Sequence, residues 1–190
     1  MDDSHPNGPG HVHDDACAAA HGEVVLPPGP GRLVLVFASP VAREMAVLAG
    51  RLDWPVTLVE PDPERAAPGS VASLADADLD DQSDLVVCDH GRPELGDVLA
   101  EALAGTTRWV GVMGSLRHTA PHVAALAARG VSPSDVARVH RPIGLDIGSH
   151  SPAEIAVSTV AGLLAHRNGR PGGPFPSQEP DATARPAVHR

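Results

Sequence analysis

The feature that most constrains this chain is an alternation, between Arg32 and Arg167, of short uninterrupted apolar runs with stretches of helical spacing. Residues 33–37 form one such run, residues 41–50 carry apolar residues at helical spacing, and residues 55–60 form a second, β-branched run that stops on Glu60 before Pro61 and Pro63. A strand that is apolar on every residue has to be covered on both faces, so strand, loop, helix and strand here read as a βαβ unit. After an acidic connection the order repeats. Residues 84–88 predict a third strand, 93–103 a helix, 108–113 a fourth strand, and 115–129 a helix closed by Gly130. Ser132 and Pro133 open a short helix, residues 143–148 read as a short strand or an ordered loop, and Ser151 with Glu154 makes a capping box ahead of an amphipathic run over 155–166. The expectation is an α/β domain over residues 32–167, Rossmann-like, three-layered and built on a mostly parallel sheet. Ligands of such sheets sit at the carboxyl ends of the strands.

A chain of 190 residues holds one such core plus tails. Residues 1–31 are rich in His, Asp, Pro and Gly, and residues 168–190 in Pro, Gly and Arg, so both are expected to be disordered. Much of the formal charge of −10 comes from the first 30 residues and from Asp76, Asp78, Asp80, Asp81 and Asp84. With no basic stripe and two Trp, two Phe and no Tyr, the chain is not expected to bind nucleic acid. All 14 basic residues are arginine. The lack of lysine and tyrosine excludes a Schiff-base lysine, a P-loop lysine and a Tyr/Lys reductase pair. Cys17 lies in a tail and Cys88 in an apolar strand, which suits a reducing, cytoplasmic setting, and no membrane span or signal peptide is legible.

Several segments offer chemistry. The first βα loop, Phe37-Ala38-Ser39-Pro40-Val41-Ala42, stands where a dinucleotide-binding protein carries Gly-x-Gly-x-x-Gly, yet it holds no glycine; Ser39 reads as a helix cap with Pro40 behind it. Glu60 lies about 20 residues on, where a ribose-binding acid would stand, or else is simply an acid at a strand end. In the turn Gly111-Val-Met-Gly114-Ser115-Leu-Arg117-His118, Gly111, Gly114, Ser115 and Arg117 present amides, a hydroxyl and a guanidinium to an anion, or form an ordinary capped turn. The segment Arg141-Pro-Ile-Gly144-Leu-Asp146-Ile-Gly148 places Gly144, Asp146 and Gly148 in a shaped loop, or in a connection that needs positive φ twice. His5, His11, His13 and His21, with Asp14, Asp15 and Cys17, are metal-ligand types at spacings that fit no closed site, so a solvated tail is the simpler reading. Ser115 and His118 are three apart, a spacing common by chance, and no catalytic residues are assigned.

The turn Trp109-Val-Gly-Val-Met-Gly-Ser-Leu-Arg117, the loop His140-Arg-Pro-Ile-Gly-Leu-Asp-Ile-Gly148 and the run Pro152-Ala-Glu-Ile-Ala-Val-Ser158 resemble, in order and spacing, the Rossmann-like C-terminal domain of the XdhC/CoxI family. The resemblance covers about residues 32–167. It implies an accessory, non-catalytic protein that binds the molybdenum cofactor (molybdopterin) transiently, helps its sulfuration and delivers it to a molybdenum hydroxylase such as xanthine or carbon monoxide dehydrogenase. A hydroxylase subunit is then the expected partner, with a separate N-terminal-type chain, a cysteine desulfurase, or a second copy of this chain beside it. The implied cofactor-facing residues are Ser39, Glu60, His90, Gly111, Gly114, Ser115, Arg117, Gly144, Asp146 and Gly148. NAD(P) binding by an oxidoreductase, and metal handling by the His-rich tail, are the alternatives. The chain departs from the family pattern in four places: a tail replaces the cysteine-bearing N-terminal domain, Ala38-Ser39-Pro40 replaces a glycine-containing loop, Asp89-His90 replaces Thr-His, and Gly162 replaces a glutamate.

Overall fold

Strand β1 (Leu33–Val36) is wholly buried and parallel to both its neighbours, β2 (Val56–Val59) and β3 (Asp84–Val87). In the computed structural model, which describes residues 21, 31–114 and 120–173, β4 (Trp109–Val112) and β5 (Val139–His140) complete a five-stranded parallel sheet of order β2-β1-β3-β4-β5. The register is direct: Val36 lies beside Val59 and Val87, and Val87 beside Val112. Beyond β2, Val71 makes one isolated parallel bridge to Val59, with Val71 N–H donating to Leu58 O (2.9 Å) and Glu60 N–H to Val71 O (2.9 Å). That bridge stands where a doubly wound dinucleotide fold has its third strand, here reduced to a single residue.

Alternation of side chains along the strands builds the two cores. Val34, Val36, Leu85, Val87, Val110 and Val112 point to the face covered by α2 (Leu95–Ala104) and α3 (Pro121–Ala127). Leu33, Leu35, Val86, Cys88 and Trp109 point to the face covered by α1 (Pro40–Arg51) and α5 (Pro152–Arg167). The result is three layers, and the fold class expected from the sequence is the one observed.

Three elements refine the sequence reading. Of the helix expected over 115–129, residues 115–119 lie outside the described residues; α3 starts at Pro121, with Ala120 held extended (φ −83, ψ 90) ahead of a proline that suits the first helical turn. Of the two readings of segment 143–148, the structure has the loop, and the last strand is Val139–His140 just before it. Helix α5 is not a clean apolar stripe, since it buries Ser158 and Thr159 and leaves Val157 48% exposed. The Ser158 hydroxyl is buried because it donates to Leu145 O at 2.5 Å, which ties the helix to the 142–148 loop. The capping box is as expected, with Ser151 accepting from Glu154 N–H and Glu154 accepting from Ser151 N–H. The short helix α4 (Pro133–Val136) is capped by Ser132 as predicted.

Candidate functional site

The carboxyl ends of β1, β3, β4 and β5 open onto one edge of the sheet, and the strand order reverses between β1 and β3, the place where ligands of such sheets lie. Leaving β1, Phe37 takes φ = +71, a conformation that glycine adopts freely and other residues rarely do. In the six-residue frame Gly-x-Gly-x-x-Gly, Phe37 stands at the first glycine. Its ring is fully buried, with the Arg92 guanidinium 4.9 Å above the ring centroid. Ser39 caps α1, its Oγ accepting from Ala42 N–H at 3.1 Å with Pro40 behind it.

Glu60, 2% exposed at the end of β2, spends both oxygens inside the protein. One accepts from Ala38 N–H at 2.8 Å; the other accepts from Asp62 N–H at 3.1 Å and from Arg92 Nη2 at 2.8 Å. Glu60 therefore braces the first loop and neutralises an arginine whose side chain is 8% exposed. After β3, the thiol of buried Cys88 is driven far up by desolvation, so it stays protonated. Asp89 closes a turn by accepting from Gly91 N–H at 2.9 Å, and His90 is half-buried beside it.

At the end of β4 the two sequence motifs meet. A Cβ on Gly114 would fall 2.6 Å from Arg141 Nε and 2.8 Å from its Nη2, so only glycine leaves room for that guanidinium to lie across the strand end. His122, in the first turn of α3, is 5% exposed, and its Nδ1 has no hydrogen-bond partner. Burial, and then the Arg141 charge, hold its imidazole below the usual histidine range, so it is neutral at pH 7. A neutral imidazole beside a guanidinium cradled on glycine is a donor set suited to an anion. Ser115 and Arg117, which follow Gly114 in the chain, lie outside the described residues, as do His118 and all of the His-rich tail except His21.

The other glycines serve a second feature. A Cβ on Gly111 would collide with the Trp109 ring (2.2 Å) and Ile143 (2.8 Å), so the bare backbone lets the indole lie over β4. Gly144 (φ +90) meets Gly162 of α5 backbone to backbone, where a Cβ on Gly162 would be 2.8 Å from Gly144 Cα. Gly162 thus gives the loop its seat on the helix. Asp146 and Gly148 stand exposed on that loop, Gly148 with φ +66.

The structure thus joins Glu60 to the Ser39 loop, and Gly114 to Arg141 and His122, while Gly111 and Gly144 shape a recess nearby. Arg92, His122 and Arg141 are the residues that sequence reasoning left out of the site; Arg141 alone carried a signal, as the neighbour of a glycine-rich loop. Among the described residues, no three His, Cys, Asp or Glu side chains gather to hold a metal.

Residues 33–163 match the model of the XdhC Rossmann domain. The chain belongs to the XdhC Rossmann-domain family. This XdhC domain is 29% identical over 153 residues to the Escherichia coli (strain K12) protein YqeB, covering 75% of the chain but 28% of that relative. Its fold is similar, with a TM-score of 0.60 and 21% identity, to the crystal structure of a xanthine dehydrogenase from Bacillus halodurans, covering 74% of this chain and 45% of that one. It therefore spans less than a third of YqeB and under half of the Bacillus halodurans chain. Among the described residues, no helix is long and apolar enough to cross a membrane.

Proposed function

We propose that this XdhC Rossmann domain serves the maturation of a molybdenum hydroxylase, binding the molybdenum cofactor transiently at the carboxyl edge of its sheet and passing it to a hydroxylase subunit. Family membership over residues 33–163 supports the pathway. The observation that carries the site is the Gly114 cradle for Arg141, beside a buried His122 whose Nδ1 is unspent. A phosphorylated pterin needs a guanidinium and hydrogen-bonding groups for its phosphate and a carboxylate for its ring nitrogens. Arg141 and His122 fit the first need, with Ser115 and Arg117 next to Gly114 in the chain; Asp146 is the carboxylate of the adjoining loop. Ser39 and His90 flank the same edge, and Glu60 acts through the loop it braces. When bound, the cofactor supplies the redox chemistry of its metal to the client enzyme; this chain holds, shields and releases it. A partner that carries the sulfuration chemistry, either an N-terminal-type chain or a cysteine desulfurase, acts alongside it in a cytoplasmic setting.

The test is reconstitution. The full chain, incubated with molybdenum cofactor and passed through gel filtration, is expected to retain it and to speed activation of an apo-hydroxylase. Arg141→Met is expected to weaken retention by about tenfold or more, the worth of one charge-assisted contact. Failure of the unmodified chain to retain cofactor or to speed insertion overturns the reading. Saturable micromolar binding of NAD or NADP would instead favour a nicotinamide enzyme, a reading opposed by Phe37 at a glycine position and by the internal engagement of Glu60.

A further inference from the structure

Between β5 and the last turns of α5 lies a recess of about 220 Å³ that the cofactor reading touches at Gly144 alone. Its floor is Trp109, 8% exposed, whose indole stacks on His140 (5.1 Å between centroids, 16° between planes). His166 closes the cluster from the helix, 6.0 Å from Trp109 and 5.6 Å from His140 in an edge-to-face arrangement. The close approach of Gly144 to Gly162 brings the loop down as one wall, and Arg170 stands exposed at the rim.

We propose that this recess binds a small planar aromatic acid, its ring held against the Trp109, His140 and His166 cluster and its carboxylate paired with Arg170. Three observations select that chemistry. No aspartate or glutamate lines the recess, so nothing in it opposes an anion. Among the described residues Arg170 has no acidic partner, and neither imidazole makes a hydrogen bond, so a cation and several ring nitrogens are unspent. Beyond these and the Trp109 indole, Thr159 is the one further polar side chain in the lining and the rest is aliphatic, proline or glycine, so the volume suits one ring or a fused pair with a few polar groups to orient it. A metal ion is the poorer fit, since among the described residues two imidazoles converge and no carboxylate or thiolate joins them. The proposal uses different side chains from the cofactor site and stands apart from it.

The experiment titrates the full chain with 2-naphthoate and with its uncharged analogue 2-naphthamide, following tryptophan fluorescence and imidazole proton resonances. Of the 11 histidines, His140 and His166 are expected to shift, with the amide binding about tenfold more weakly for want of the charge-assisted contact. Arg170→Gln, a surface change, is expected to cost naphthoate the same factor and the amide little. Ala165→Phe, which fills the recess, is expected to abolish binding with an unaltered thermal transition. Should that variant misfold, Arg170→Gln decides alone. Equal affinity for acid and amide, shifts spread over all histidines, no binding, or indifference to Arg170→Gln overturns the proposal.

Discussion

Phe37 sits in a backbone conformation that costs a residue with a side chain about 1–3 kcal/mol. Its full burial returns about 2–3 kcal/mol and the stacked Arg92 about 0.5–2 kcal/mol, so the ring outweighs the strain. The consequence is a first loop packed from inside where a dinucleotide fold would leave bare backbone. Arg92 can sit there because Glu60 neutralises it, with Glu94 Oε2 a more distant second anion at 3.7 Å. Glu60→Gln is therefore expected to destabilise the domain by about 3 kcal/mol, as removal of one partner of a buried pair does. Urea unfolding of the variant against the parent measures it, and a loss below 1 kcal/mol would mean the pair is dispensable.

At the level of elements, the strands and most helices were legible because both carry short-range signals. Residues 33–37 and 85–88 are apolar on every position, Ser39 and Pro40 announce α1, and Ser151 with Glu154 announces α5. What was not legible depends on contacts between distant segments. The two-residue β5 is a strand only because β4 pairs with it, and Ser158 is a buried residue only because Leu145 supplies its acceptor. The site shows the same division. Its glycines announced loops of special shape, but nothing near His122 in sequence tells that Arg141, 19 positions on, is its neighbour. The Gly144–Gly162 contact is a further case, and it gives a prediction. Gly162→Ala places a methyl 2.8 Å from Gly144 Cα, where no side chain can yield. We expect a loss of about 1–3 kcal/mol despite alanine's higher helix propensity. A thermal melt showing Gly162→Ala more stable than the parent would refute this seating of the loop.

For the whole molecule, the electrostatics define how stability should follow pH. Burial and nearby positive charge hold His122 and His140 below their ordinary value near 6.5, so the unfolded chain binds their protons more readily than the folded one. Their contribution is complete above pH 6.5 and is lost as pH falls through 6.5 towards the folded values. The carboxylates of Asp97, Asp135 and Glu154 are held down mainly by hydrogen bonds from Arg129, from Ser132 and from the backbone of His150 respectively, so their contribution fades only at lower pH. Acidification should therefore weaken the domain in two stages. Urea midpoints at pH 7.5 and 5.5 test the first stage, and His122→Gln together with His140→Gln should flatten it. An unchanged slope in that double variant would place the loss elsewhere.

Among the described residues, one margin of this sheet is the two-residue β5, and the other is the four-residue β2 closed by a single bridge at Val71. Margins this short offer a neighbouring chain few amides and carbonyls to zip onto, which guards against edge-to-edge aggregation. It also narrows the geometry of any assembly. Another chain is then expected to meet the described residues over the helices or the loops rather than as an added strand.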